Sequence, residues 1–135
     1  LGIRLIFESS VQPSYTYFSH LLFWLQRISG IGVLLFIIAH VWNAQLGPWI
    51  AGTWGTHFEH LSSGFSDPES GMITKAVYLL GTLGAVFHFS NGLNTFCMTW
   101  GIALTPKSQI RVRIFSIFLF FILAASALYA LSAIW

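Results

Sequence analysis

Charge is scarce in this sequence of 135 residues: Asp, Glu, Lys and Arg together make up 7% of it, against roughly a quarter in an average soluble domain. A chain this poor in charge cannot cover a water-facing surface, which excludes an ordinary water-soluble domain and points to a bilayer as solvent. Cysteine is nearly absent as well. The single Cys97 lies in an apolar run, which excludes a disulfide framework and reads as a buried, inert thiol. The formal net charge is only +2, so there is no polybasic footprint for nucleic acid. A glycine-rich nucleotide loop and an arginine cluster are also missing, which excludes a flavin or dicarboxylate site of the chain's own.

What the sequence does have is apolar length: 56% of it is hydrophobic and 17% aromatic. A membrane helix needs about 20 predominantly apolar residues, and three stretches meet that, at about 18–42, 71–100 and 114–135. The expected fold class is therefore an all-α membrane protein, a transmembrane helix bundle forming one domain. The loop 44–70 holds Glu59, Asp67 and Glu69 but no Lys or Arg, whereas 101–113 carries Lys107, Arg111 and Arg113, and Arg4 precedes the first span. Excess basic residues mark the cytoplasmic side. The expected topology is multi-pass, with 44–70 outside and 101–113 inside. Trp42, Trp49, Trp54 and Trp135 then fall at the outer interface, with Trp24 and Trp100 at the inner one, as aromatic belts do. Asp67-Pro68-Glu69 reads as a helix start and Thr105-Pro106 as the close of the second span. Residues 53–62 read as a short interfacial helix. The opening residues, Leu1-Gly-Ile-Arg-Leu-Ile-Phe7, read as the tail of an earlier apolar segment.

An ionisable residue inside a membrane is costly and marks a functional site by default. His40 and His88 lie deep in the first and second spans, while His20 sits at a boundary and His57 and His60 in the outer loop. At about 1.5 Å rise per residue, His40 is ~28 Å from the inner edge and His88 ~8 Å from it, so the two are on the order of 20 Å apart along the normal. They cannot share one metal. Imidazole suits iron, and facing helices can hold haem between two histidines. A flat porphyrin needs small residues beside the ligand helix, which Gly84 and Gly92 offer near His88 and Gly30 and Gly32 on the first span. Spacing alone leaves open haem ligation, a hydrogen bond across helices and a proton relay.

Two longer motifs narrow the choice. Leu25-Gln-Arg-Ile-Ser-Gly-Ile31 leading to Ala39-His-Val-Trp42 resembles the third helix of the dihaem cytochrome b anchor of succinate:quinone oxidoreductases. Phe87-His-Phe-Ser-Asn-Gly-Leu93, followed by Thr99-Trp-Gly-Ile-Ala-Leu-Thr-Pro-Lys-Ser-Gln109, resembles its fourth helix and the turn after it. The likeness is strongest to the single-polypeptide anchor of Gram-positive bacteria. It implies the C-terminal part of a five-helix bundle in the bacterial cytoplasmic membrane, with two b haems. His88 would ligate the inner haem and His40 the outer one, each with a second histidine upstream of this chain. It also implies a flavoprotein and an iron–sulfur subunit as partners. Electrons would run from the iron–sulfur subunit through the haems to a membrane quinone, usually menaquinone, in a succinate dehydrogenase or fumarate reductase complex. The competing readings are a cytochrome b anchor of another respiratory enzyme, of hydrogenase or formate dehydrogenase type, and a haem-free proton-relay transporter subunit.

Several further residues carry two readings each. Arg27 either pairs with a propionate of the inner haem or snorkels to the headgroups. Ser29 and Ser90 bond either to haem or to neighbouring backbone carbonyls. His57, Glu59 and His60 suggest a metal site lacking a convincing third ligand, or a group handling protons beside a quinone. Lys107, Arg111 and Arg113 either dock the soluble subunits or simply obey the topology rule.

Overall fold

The computed structural model describes the backbone of residues 17–52 and 57–133, and the side chains of 20–52 and 62–133. Expectations resting on Arg4, Trp54, Trp135, the opening residues and the side chains of His57, Glu59 and His60 lie outside these described residues. In chain order the helices are α1 (Tyr17–Val41), a π-helical stretch (Trp42–Leu46), α2 (Gly47–Ile50), α3 (His57–Ser66), α4 (Gly71–Thr99) and α5 (Pro106–Ser132). No strand occurs among the described residues. Three helical stretches, at 20–50, 71–99 and 106–132, are long and apolar enough to span a membrane. The chain is an all-α membrane bundle.

α4 is the central helix, packed against α1 on one side and α5 on the other. Gly30 and Gly32 within α1, and Gly81, Gly84 and Gly92 within α4, would weaken a helix in water. In a bilayer the backbone has no alternative hydrogen-bond partner, so the helix holds. The gain is close approach, the usual means by which membrane helices associate. The Phe36 ring lies where a side chain at Gly81 would stand. Around this helix trio most large apolar side chains are exposed, among them Ile28, Leu34, Ile38, Phe89, Phe118 and Phe121. Such an exterior suits lipid or further helices and not water.

The helix boundaries depart from the sequence reading in three places, although the second long helix begins at Gly71 as its apolar stretch does. First, α1 does not stop near Trp42 but runs on through the π-helical stretch to Ile50. Pro48 has no N–H to close a regular turn, and the Gly47 N–H reaches back to the Trp42 carbonyl, widening the helix by one residue. Second, α4 begins at Gly71 and not at the proline. Asp67 instead closes a turn, its carboxylate accepting the N–H groups of Glu69 (2.8 Å) and Ser70 (3.2 Å). Third, α5 starts at Pro106, ahead of the apolar stretch. Thr105 and Ser108 form a reciprocal capping box around that proline. Thr105-Pro106 therefore opens the third long helix. The second ends at Thr99, and the chain turns through Gly101 at φ +70°, a conformation that favours glycine. Lys107, Arg111 and Arg113 consequently sit on α5 and not in a loop.

The two backbone N–H groups on Asp67 hold its carboxyl below the ordinary value of 3.8. A depressed folded pKa means the charged form supports the turn; that support is complete above the ordinary value and is lost as pH falls through the lowered one. Amide hydrogen exchange provides the measurement. Asp67→Ala is expected to speed exchange at Glu69 and Ser70 at neutral pH, and the wild type to approach the variant only below pH 3.8.

Candidate functional site

The close approach of α1 and α4 decides the surroundings of His88. Its ring is half-buried in the seam, facing Gln26, Ser29 and Gly30. Nδ1 lies 3.1 Å from the Gln26 carbonyl, 3.2 Å from Ser29 Oγ and 3.3 Å from Gln26 Nε2. A carbonyl only accepts, so Nδ1 carries the proton and donates it there. Nε2 is left with the lone pair that a metal takes. A ligating histidine is commonly oriented by such a carbonyl. The Cβ of any larger residue at position 30 would stand 3.0 Å from His88 Cε1. Only glycine leaves the ring its place.

Gln26 does more than lend a carbonyl. Its Nε2 donates to the His88 carbonyl at 3.2 Å, and its Oε1 accepts from Asn91 Nδ2 at 2.7 Å. One side chain thus ties α1 to two successive turns of α4. Nothing in the sequence singles out Gln26 and Asn91 as a pair, because a polar side chain in a span is informative only once its partner helix is known. Gln26→Ala is expected to remove both bonds at about 0.6 kcal/mol each, the average for such bonds between membrane helices. A lowered thermal midpoint in detergent is the outcome to look for, and Gln26→Glu, which keeps an acceptor for Asn91 but has no donor for the His88 carbonyl, should not restore it.

His40 sits differently. Its ring is exposed on the described chain, although the sequence places it deep in a span. None of α1 to α5 covers that face. Nδ1 lies 3.3 Å from the Tyr78 hydroxyl, and the ring centroid is 5.9 Å from Phe36 and 5.7 Å from Tyr78. Phe65 on α3 packs edge-on against the same tyrosine at 4.9 Å. Beside this aromatic group opens a polar cavity of about 540 Å³ lined by Asn43, Ser63, Asp67, Thr74 and Tyr78.

Counting turns separates the two imidazoles. On α4 the His40 partner Tyr78 and His88 are ten residues apart, ~15 Å along the axis; on α1 the His88 partner Ser29 and His40 are eleven apart, ~17 Å. Each histidine therefore defines its own site. Among the described residues no three His, Cys, Asp or Glu side chains gather to hold a metal ion.

Ser29 reaches the site, its hydroxyl donating to the Gln26 carbonyl at 3.1 Å. Ser90 faces away from His88: it is 2% exposed and borders a cavity together with Ser116 and Ile117 of α5. Two residues along a helix is about 200° around it, so His88 and Ser90 face different neighbours. Arg27 lies near the same end of α1, its guanidinium 4.2 Å over the Phe23 ring. Among the glycines, Gly30 abuts the imidazole and Gly92 faces Gln26, while Gly32 and Gly84 face open space. The small-residue gap at Gly92 thus serves helix packing. His20 is half-buried near the start of α1.

The family model described as succinate dehydrogenase/fumarate reductase transmembrane subunit matches residues 2–128. Over 95 residues the chain is 38% identical to the succinate dehydrogenase cytochrome b558 subunit of Bacillus subtilis (strain 168). That stretch is 70% of this chain and 44% of the relative, so the chain spans less than half the length of the protein it resembles. No solved structure matches.

Proposed function

Because this chain belongs to the family of succinate dehydrogenase/fumarate reductase transmembrane subunits, we propose that it is the electron-carrying part of a membrane anchor, binding one b haem at His88 and another at His40. The observation that carries the proposal is the His88 pocket. Its Nδ1–H is committed to the Gln26 carbonyl, leaving Nε2 for iron, and the facing residue is a glycine that a Cβ would spoil. Haem b supplies reversible one-electron chemistry, and the protein tunes it by ligation, dielectric and charge. His40 would hold the second group, with the Tyr78 hydroxyl on its Nδ1 setting the ring. The second axial histidine at each level would come from outside this chain.

The full protein would then relay electrons between an iron–sulfur subunit, itself fed by a flavoprotein, and a membrane quinone, menaquinone in the dihaem class. Two levels about 15–17 Å apart along the helices suit such a relay across the bilayer. The end bearing Lys107, Arg111 and Arg113 would face the cytoplasm, putting His88 on the side of the soluble subunits. Arg27 and Ser29 are proposed to support the His88 site, Ser29 through the Gln26 carbonyl and Arg27 toward a propionate, whereas Ser90, turned toward α5, takes no part in it.

The test is a reduced-minus-oxidised visible spectrum of the full-length protein, followed by mixing the reduced complex with a menaquinone analogue. Two b-type components, reoxidised by the quinone, are expected. A spectrum without cytochrome b bands would sink the proposal and leave the proton-relay reading; co-purifying subunits other than a succinate dehydrogenase pair would favour a different respiratory anchor.

A further inference from the structure

The seam between α4 and α5 buries polar side chains that no protein group satisfies. Ser90 and Asn94 on α4 are 2% and 5% exposed, and Ser116 on α5 is 5% exposed. Ser90 Oγ, Asn94 Oδ1 and Ser116 Oγ have no hydrogen-bond partner among the described residues. All three residues border one cavity of about 220 Å³, whose other walls include Phe87, Phe120 and Arg113. A second cavity, of about 200 Å³, shares Asn94 and Arg113 as walls and is bordered beyond them by Met98, Pro106 and Gln109. Together the two follow the seam. From Met98 to Ser90 is eight residues of α4, ~12 Å, and from Gln109 to Ser116 seven of α5, ~10 Å. One turn further in, the Phe87 and Phe120 rings meet edge-on with centroids 6.4 Å apart.

Buried hydroxyl and amide groups are hydrogen-bonded, to protein or to ordered water, in the great majority of cases. Lipid tails offer no such partner. Water fits this seam on two counts. One molecule needs roughly 10–15 Å³ and two to four polar partners; the first cavity has room for several, and Ser90, Asn94 and Ser116 supply partners on both walls. Each hydroxyl can donate and accept, and the amide oxygen accepts. An apolar occupant would leave all three unpaired. We infer that the α4–α5 seam is a water inlet: a short file of water enters beside Pro106 and Gln109, passes Asn94 and Arg113, and ends at Ser90 and Ser116 against the Phe87–Phe120 pair. The inlet runs on the side of α4 turned away from the His88 imidazole. It therefore hydrates this half of the bundle without opening the histidine seam, and it stands whether or not either histidine binds haem.

The test is cysteine accessibility in the full-length protein in membrane vesicles, with a small charged methanethiosulfonate supplied to both faces. The thiolate is the reacting form and apolar surroundings keep a thiol protonated, so the rate reports water at the residue. In a Cys97→Ala background, Ser90→Cys and Ser116→Cys should react at least about tenfold faster than Phe118→Cys, whose position is 63% exposed on the apolar exterior. Rates no higher than that of Phe118→Cys overturn the inlet and mean that the three groups pair with one another across a dry seam. Protection of both cysteines by a menaquinone analogue also overturns it, since an organic headgroup would then hold the space. If the cysteine variants fail to assemble, the wild type decides. Hydroxyl radicals generated from water by a brief X-ray pulse should oxidise Phe120 and spare Phe118; equal labelling of the two, or none at Phe120, overturns the inlet.

Discussion

Replacing His88 by alanine in the full-length protein is expected to remove one b-type component from the reduced-minus-oxidised spectrum and leave the other. His40→Ala should remove the complementary one. The expectation follows from separation: the partners of the two rings lie about 15 Å apart on α4, and no hydrogen bond links His40, held at Tyr78, to His88, held at Gln26 and Ser29. Loss of an axial ligand removes the strongest bond a haem has to the chain, so retention of the affected haem should fall to near zero. Electron flow to quinone should stop in either variant, since a one-electron relay fails with either station gone. Pyridine-haemochrome quantitation per protein gives the stoichiometry. Loss of both haems from both variants would show a single shared site, contrary to the separation described above.

The second large effect belongs to Gly30. A Cβ there would stand 3.0 Å from His88 Cε1 and 3.5 Å from Nδ1, so alanine already crowds the ring and leucine has no room. The imidazole has little freedom to retreat, because Nδ1 is bonded to the Gln26 carbonyl on the same helix and the backbone of His88 is tied by the Gln26 amide. Relief must come from spreading α1 away from α4 or from turning the ring off its carbonyl. Overpacking of this kind costs about 1–3 kcal/mol. Gly30→Leu is therefore expected to lower the thermal midpoint and to lose the haem at His88 selectively. Gly32→Leu is the control, since nothing lies within 4 Å of that position. Equal retention of haem in the two leucine variants would show that the glycine does not shape the pocket.

These outcomes connect to a difference between the two sites. His88 is organised almost wholly by this chain, through Gln26, Ser29 and Gly30. His40 has a hydroxyl and two aromatic rings on one side and nothing described on the other. The His40 site should accordingly depend more on elements outside α1 to α5, and the His88 site should better survive perturbation beyond this chain.

Composition and order of residues were enough to establish a membrane-embedded all-α chain with three spans, because a long apolar run with so few charges has no other stable solution in water or lipid. They also singled out His40 and His88 and put them at separate levels, since rise per residue is fixed once a span is helical. The motif around Phe87 to Leu93 pointed to the family. Helix boundaries were less legible: the π-helical stretch before Pro48 and the capping box at Thr105 depend on backbone bonds that hydropathy does not register. What only the tertiary structure decided is facing. Which residue of α1 meets His88, that Ser90 turns toward α5, and that Arg113 shares a cavity with Asn94 all follow from the rotation of each helix about its axis. That rotation is set by glycines and amides meeting across a seam, a property of pairs of helices that no single helix carries.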